Sequence, residues 1–81
     1  MTVKHHEWTV EVYYPMAELS IVWATDDAAR QMAGRHPDYS GTDFTTRDLG
    51  WYCESSLEAS KIATRLRDAF PNMRVEVRRT Q

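Results

Sequence analysis

Metal binding is the first chemistry to consider, because histidines and carboxylates lie close together at two places in this 81-residue chain. His5, His6 and Glu7 form the densest cluster. Neighbouring side chains of an extended segment point to opposite faces, so these three cannot close on one ion. His36 and Asp38 are only two ligands, and a zinc site needs three or four. The sequence therefore predicts no metal site.

Catalysis also lacks the residues it needs. Cys53 is the only cysteine and lies in a predicted strand without a family signature, which is typical of a packed apolar residue. Asp26 and Asp27 are consecutive, so on a helix they diverge by about 100° and serve its N-terminus rather than acting as a pair. The three glycines are far apart and form no phosphate-binding loop. We expect a protein with no catalytic residues and no cofactor.

Residues suited to binding a partner are better represented. Aromatic side chains make up 11% of the chain, more than two helices on a small sheet readily hide. Exposed Tyr, Trp and Arg dominate binding hot spots. Tyr13 lies on the wet side of the first predicted strand, and either Trp51 or Tyr52 must point outward because strand neighbours alternate. The predicted partner-binding residues are Tyr13, Trp51, Tyr52, Arg65, Arg74, Arg78 and Arg79.

Charge is distributed unevenly along the chain. Residues 1–60 carry ten acidic and four basic side chains, whereas residues 61–81 carry six basic and two acidic ones, for a net charge of −2. If the basic side chains of the last segment form one patch, the partner presents carboxylates or phosphates. Charge reversal at Arg74 and Arg78 is then expected to abolish binding without unfolding the domain.

The first half of the chain allows two interpretations. Residues 7–14 alternate between apolar and polar side chains, as a half-buried strand does. Leu19 to Ala24 also alternate and favour a second strand, with a helix capped by Thr25 that ends at Gly34. The alternative is one helix from Pro15 through Ala33. Residues 36–42 are predicted to be the longest loop.

The second half has clearer signals. Residues 44–54 predict a hairpin that turns at Asp48, Leu49 and Gly50. Ser55 and Glu58 have the spacing of a capping box, followed by apolar residues at helical spacing up to Phe70. Residues 73–78 alternate and predict a final strand with one buried face.

These elements predict one small α+β domain over residues 1–81, with residues 1–5 mobile. An antiparallel or mixed sheet of four to five strands carries two helices on one face, in the order ββαββαβ. If residues 19–24 are not a strand, the order becomes βαββαβ, the ferredoxin-like arrangement. We expect a cytoplasmic protein, because no apolar run is long enough for a membrane span or a secretory signal. A homodimer through an unpaired edge strand is compatible with this fold.

The function that follows is non-catalytic binding to a larger protein or nucleoprotein. In size, charge and predicted α+β make-up, the chain is similar to small acidic phage-encoded inhibitors, including anti-CRISPR proteins. This likeness is one of class and covers no motif. It implies an inhibitor of a larger host complex. The alternative hypothesis is binding of single-stranded nucleic acid on the open sheet, with bases stacked on aromatic side chains.

Overall fold

The computed structural model describes residues 7–80. Its elements follow the order β1 (Trp8–Pro15), α1 (Leu19–Ala33), β2 (Tyr39–Thr42), β3 (Thr46–Cys53), α2 (Ser56–Ala69) and β4 (Arg74–Arg79). The strands form one antiparallel sheet in the spatial order β2-β3-β1-β4. The predicted α+β class, with both helices on one face, is confirmed. The prediction that residues 1–5 are mobile concerns residues outside the described range.

Of the two element orders, the structure has the ferredoxin-like βαββαβ, so the preferred order ββαββαβ is wrong. Leu19 to Ala24 belong to α1 and are not a strand. Thr25 lies inside the helix, where its hydroxyl donates to the Ile21 carbonyl over 2.8 Å, and it is not the cap. The helix ends as predicted, with Gly34 in the left-handed conformation at φ 87°.

The hairpin predicted within residues 44–54 is also wrong. Thr46–Cys53 is one uninterrupted strand, β3, which pairs with β1 on one side and β2 on the other. Gly50, a residue type that favours a reversal of the chain, lies inside this strand and not in a turn. The reversal occurs earlier, at residues 43–45. Part of the predicted loop, Tyr39–Thr42, is the edge strand β2.

The core lies between the sheet and the helices. Val10 and Val12 of β1 and Leu49 and Trp51 of β3 direct fully buried side chains toward α2. Helix α2 begins as predicted, because the Ser55 hydroxyl accepts a 3.1 Å hydrogen bond from the backbone N–H of Glu58. The remaining buried apolar side chains include Ala29 and Ala33 of α1 and Ala59, Ile62, Ala63 and Leu66 of α2.

Two contacts fasten α1 and the segment after it to the sheet. Asp26 of α1 accepts hydrogen bonds from the Arg47 guanidinium at 2.9 and 2.7 Å, a two-point geometry that fixes the helix over β3. Beyond the helix, the Arg35 carbonyl accepts the indole N–H of Trp51 at 3.0 Å. That bond satisfies the polar group of a fully buried ring.

Neither helix of the described residues has the length and apolar character needed to cross a membrane.

Tyr14 gives a stability prediction. Its side chain is buried on the helix-facing side of β1, and its hydroxyl has no hydrogen-bond partner among residues 7–80. A buried hydroxyl without a partner is costly. We expect Tyr14→Phe to raise the free energy of unfolding by about 1 kcal/mol, measured by urea denaturation. A loss of more than about 1 kcal/mol would contradict this, because it would show that the hydroxyl makes a stabilising bond.

Candidate functional site

The sheet face away from the helices, here called the open face, carries the densest group of polar side chains. By strand alternation it presents Glu11 and Tyr13 of β1, Tyr39 of β2, Asp48 and Tyr52 of β3, and Arg74, Glu76 and Arg78 of β4. Although no helix covers this face, Glu11 is only 6% exposed. Its own neighbours on the sheet must therefore shield it from water.

Glu11 is the centre of a row of contacts that crosses all four strands. Arg78 of β4 donates to one carboxylate oxygen through Nε over 2.6 Å, and the hydroxyl of Tyr39 on β2 donates to the other over 2.5 Å. The Tyr39 ring reaches Glu11 by lying across β3 at Gly50. A side chain at Gly50 would occupy the space of that ring. We call these four residues the Glu11 belt.

The belt changes the ionisation of its members. Burial acts to raise the pKa of Glu11, but the hydrogen bonds from Arg78 and Tyr39 outweigh it and hold that pKa below its ordinary value. Burial and the neighbouring carboxylate both raise the pKa of the Tyr39 hydroxyl. The belt is therefore a charged carboxylate held by a guanidinium and a neutral phenol at neutral pH.

Four of the seven predicted binding residues lie on the open face: Tyr13, Tyr52, Arg74 and Arg78. The Arg74 guanidinium stacks over the Tyr13 ring at 4.9 Å and is paired with Glu76. The Arg78 guanidinium bonds Glu11. Both arginines are thus engaged within the molecule.

The other three predicted residues lie elsewhere. Trp51 is fully buried against the helices, so Tyr52 is the outward member of that pair. Arg79 stacks over Trp8 at 5.4 Å, and the register places it on the opposite side of β4 from Arg78. Arg65 is exposed on α2. The basic side chains of the last segment therefore do not form one patch.

The residues considered for chemistry are not assembled into a site. Cys53 is fully buried, and burial raises the pKa of its thiol, which disfavours the reactive thiolate. Between Glu7 and Thr80 no three His, Cys, Asp or Glu side chains are grouped so as to hold a metal ion. His5 and His6 lie outside the described residues.

A second surface, missed in the sequence, is apolar. Leu19 and Trp23 of α1 are 60% and 64% exposed, and Phe44 in the β2–β3 turn is entirely exposed. Leu19 and Trp23 are four residues apart and share one side of the helix. The backbone N–H of Met16 donates to the Thr45 carbonyl over 2.9 Å, which holds the β2–β3 turn beside the segment that leads into α1. We call Leu19, Trp23 and Phe44 the apolar end.

The turn that carries Phe44 is rigidly built. The Asp43 carboxylate accepts the backbone N–H groups of Thr45 and Thr46 at 2.8 and 2.7 Å, and these bonds lower the pKa of Asp43. The backbone N–H of Asp43 donates to the Thr46 carbonyl over 2.9 Å. Phe44 is thus presented to solvent on a fixed backbone.

Trp23 also forms one wall of a cleft of about 300 Å³ between α1 and β2, here called the α1–β2 cleft. Its floor includes Leu49, and its charged side chains neutralise each other as the pairs Asp26 with Arg47 and Asp27 with Arg30. The remaining lining residues are His36, Pro37 and Ser40. No sequence signal joins these residues, because they come from a helix, a loop and two strands.

Comparison with protein-family models, curated proteins and solved structures finds no match for this chain. The assignment of a function therefore depends on the two surfaces described above.

A substitution at Gly50 tests whether the Tyr39 ring packs across β3. Gly50→Ala adds a β-carbon where the Tyr39 ring lies, so the ring must leave Glu11 and the protein should be destabilised. Tyr39→Phe keeps the ring and loses one hydrogen bond to a charged group, at a cost of about 1.5–3 kcal/mol. In a Tyr39→Ala background, Gly50→Ala should cost much less, as measured by urea denaturation in a double-mutant cycle. Additive effects would contradict the contact.

Glu11 also predicts a pH dependence. A carboxylate whose pKa is lower in the folded state stabilises the fold above its unfolded pKa, and that contribution is lost as the pH falls through the folded value. The wild type should therefore exceed Glu11→Gln in stability most strongly near neutral pH. Denaturation from about pH 7 to about pH 3 should show this difference shrinking below the ordinary glutamate pKa of 4.5. A constant difference would argue against a charged Glu11.

Proposed function

We propose that this protein is a non-catalytic binding module that docks onto a larger protein through its apolar end. The observation that carries the proposal is the exposure of Leu19 and Trp23 in the first turns of α1 and of Phe44 in the turn that is held beside the segment leading into α1. Trp is one of the residues that dominate the free energy of binding at protein interfaces, and Phe is enriched there, so these side chains are suited to burial by a partner.

The rigid turn supports the same role for Phe44. The Asp43 carboxylate holds the N–H groups of Thr45 and Thr46, and the Asp43 N–H bonds the Thr46 carbonyl, so the turn around Phe44 is held before any partner arrives. An anchor held in its bound conformation loses little entropy on association. The proposal places binding mainly at the apolar end because both arginines of the open face, Arg74 and Arg78, are already paired with carboxylates.

Inhibition of a larger host complex, as by an anti-CRISPR protein, is the narrower form of this proposal. Its support is the exposed apolar end, because an inhibitor of this kind acts by docking onto its target. Binding of single-stranded nucleic acid is the weaker alternative. Arg74 and Arg78 would have to leave carboxylate partners to contact phosphates, and the open face carries the acidic side chains of Glu11, Asp48 and Glu76.

The proposal is tested by affinity capture from a lysate of cells that carry the gene. The tagged wild type should retain a protein partner in stoichiometric amount, and Trp23→Ser and Phe44→Ser should each weaken its binding by about 30-fold or more. Leu57→Ser is the matched control, because Leu57 is as exposed as Trp23 but lies on α2. Absence of a stoichiometric partner, or equal losses in all three variants, would reject the proposal.

A further inference from the structure

The two edge strands of the sheet, β4 and β2, differ in how far side chains cover their outer backbone groups. At the β4 edge, Arg67 of α2 donates to the Val75 carbonyl over 3.0 Å, so a side chain already occupies part of that edge. The strand itself also carries three arginines, Arg74, Arg78 and Arg79. Charged side chains and covering groups are the usual protection of an edge strand. No such cover is found along β2 within the described residues.

The backbone of β2 offers hydrogen bonds to a further strand. Asp43 and Thr46 form a hydrogen-bonded pair, since the Asp43 N–H donates to the Thr46 carbonyl. In an antiparallel ladder such pairs alternate with non-bonded ones, so Gly41 and Tyr39 also face β3. Ser40 and Thr42 therefore direct their N–H and C=O groups outward, to the open edge.

The α1–β2 cleft lies beside this same edge. Register places the side chains of Ser40 and Thr42 on the helix-facing side, opposite Leu49 and Arg47, and Ser40 lines the cleft. A strand added to β2 would direct every second side chain to that side. The cleft is walled by Trp23, and its ion pairs are internally neutralised, so it suits an uncharged apolar side chain.

We propose that the β2 edge receives an extended segment of the partner protein as a fifth strand, with an apolar side chain of that segment seated in the α1–β2 cleft. This inference rests on the proposed function and gives it a mode of binding. Main-chain hydrogen bonds to Ser40 and Thr42 supply affinity, and the cleft selects the sequence. The partner segment carries apolar residues at alternate positions and no charge at the seated one.

Ser40 allows a sharp test. Ser40→Pro removes the outward N–H and leaves the ladder to β3 intact, because proline is tolerated where an edge N–H faces solvent. Ser40→Ala is the matched control, since it removes the hydroxyl and keeps the N–H. Thr42→Pro is the second blocking variant if Ser40→Pro does not fold, with circular dichroism as the check on folding.

The probe is a displayed library of random octapeptides panned on the wild-type protein. Enriched peptides should show alternating apolar residues and should bind Ser40→Pro at least about tenfold more weakly, with little change for Ser40→Ala. Trp23→Ala should also weaken binding, because it removes a wall of the cleft. Amide hydrogen exchange should show the N–H groups of Ser40 and Thr42 protected only in the complex.

The opposite results separate this inference from the function on which it rests. Peptides that bind the proline variants as well as the wild type, or a library with no enrichment, overturn strand addition. If lysate capture still depends on Trp23 and Phe44, the binding function stands with a different geometry. If capture fails as well, both are wrong. Light scattering that shows a dimer abolished by Ser40→Pro would assign the edge to a second copy and reject the partner segment.

Discussion

A single buried carboxylate on the uncovered side of the sheet organises much of this small fold. Glu11 lies on a central strand, and its two oxygens are held from the two edge strands, by Tyr39 and Arg78. A charge so shielded from water is tolerable only when its hydrogen bonds are made. The edge strands β2 and β4 are thereby linked through these side chains, in addition to their backbone pairing with β3 and β1. The helices cover one face of the sheet, and the belt links the strands across the other face.

This use of the open face has a consequence for where binding can occur. Arginine and tyrosine residues that the sequence suggested for a partner are largely committed to neighbours within the sheet. Replacing Arg78 by an acid would set two carboxylates together, so charge reversal there is no clean probe of binding, contrary to the sequence-based expectation. Apolar side chains at the start of α1 and in the β2–β3 turn have no comparable internal role. The proposed binding surface is thus formed by the first turns of α1 and the β2–β3 turn, and the sheet supplies a rigid base for it.

The sequence predicted the elements that carry their own local signals. The capping pair of Ser55 and Glu58 fixed the start of α2, and alternation revealed β1 and β4. Leu19, Ile21 and Trp23 alternate in sequence, but on a helix they fall on both flanks of the buried stripe and remain exposed, so the pattern resembled a strand. The belt and the cleft were invisible, because their residues meet only through the pairing of strands distant in sequence. The role of Gly50 could not be predicted for the same reason: its lack of a side chain leaves space for the Tyr39 ring, and the residue lies in a strand and not in a turn.

The ring that lies across Gly50 also constrains how this chain can evolve. A larger residue at position 50 requires a smaller one at position 39, and loss of the Tyr39 hydroxyl leaves Glu11 dependent on Arg78 alone. Substitutions at these four sites should therefore be accepted jointly and seldom one at a time. Across diverged descendants of this gene, correlated change among positions 11, 39, 50 and 78 would be a more durable mark of common ancestry than overall identity. The apolar core, where many residues of similar size are interchangeable, would keep less of that record.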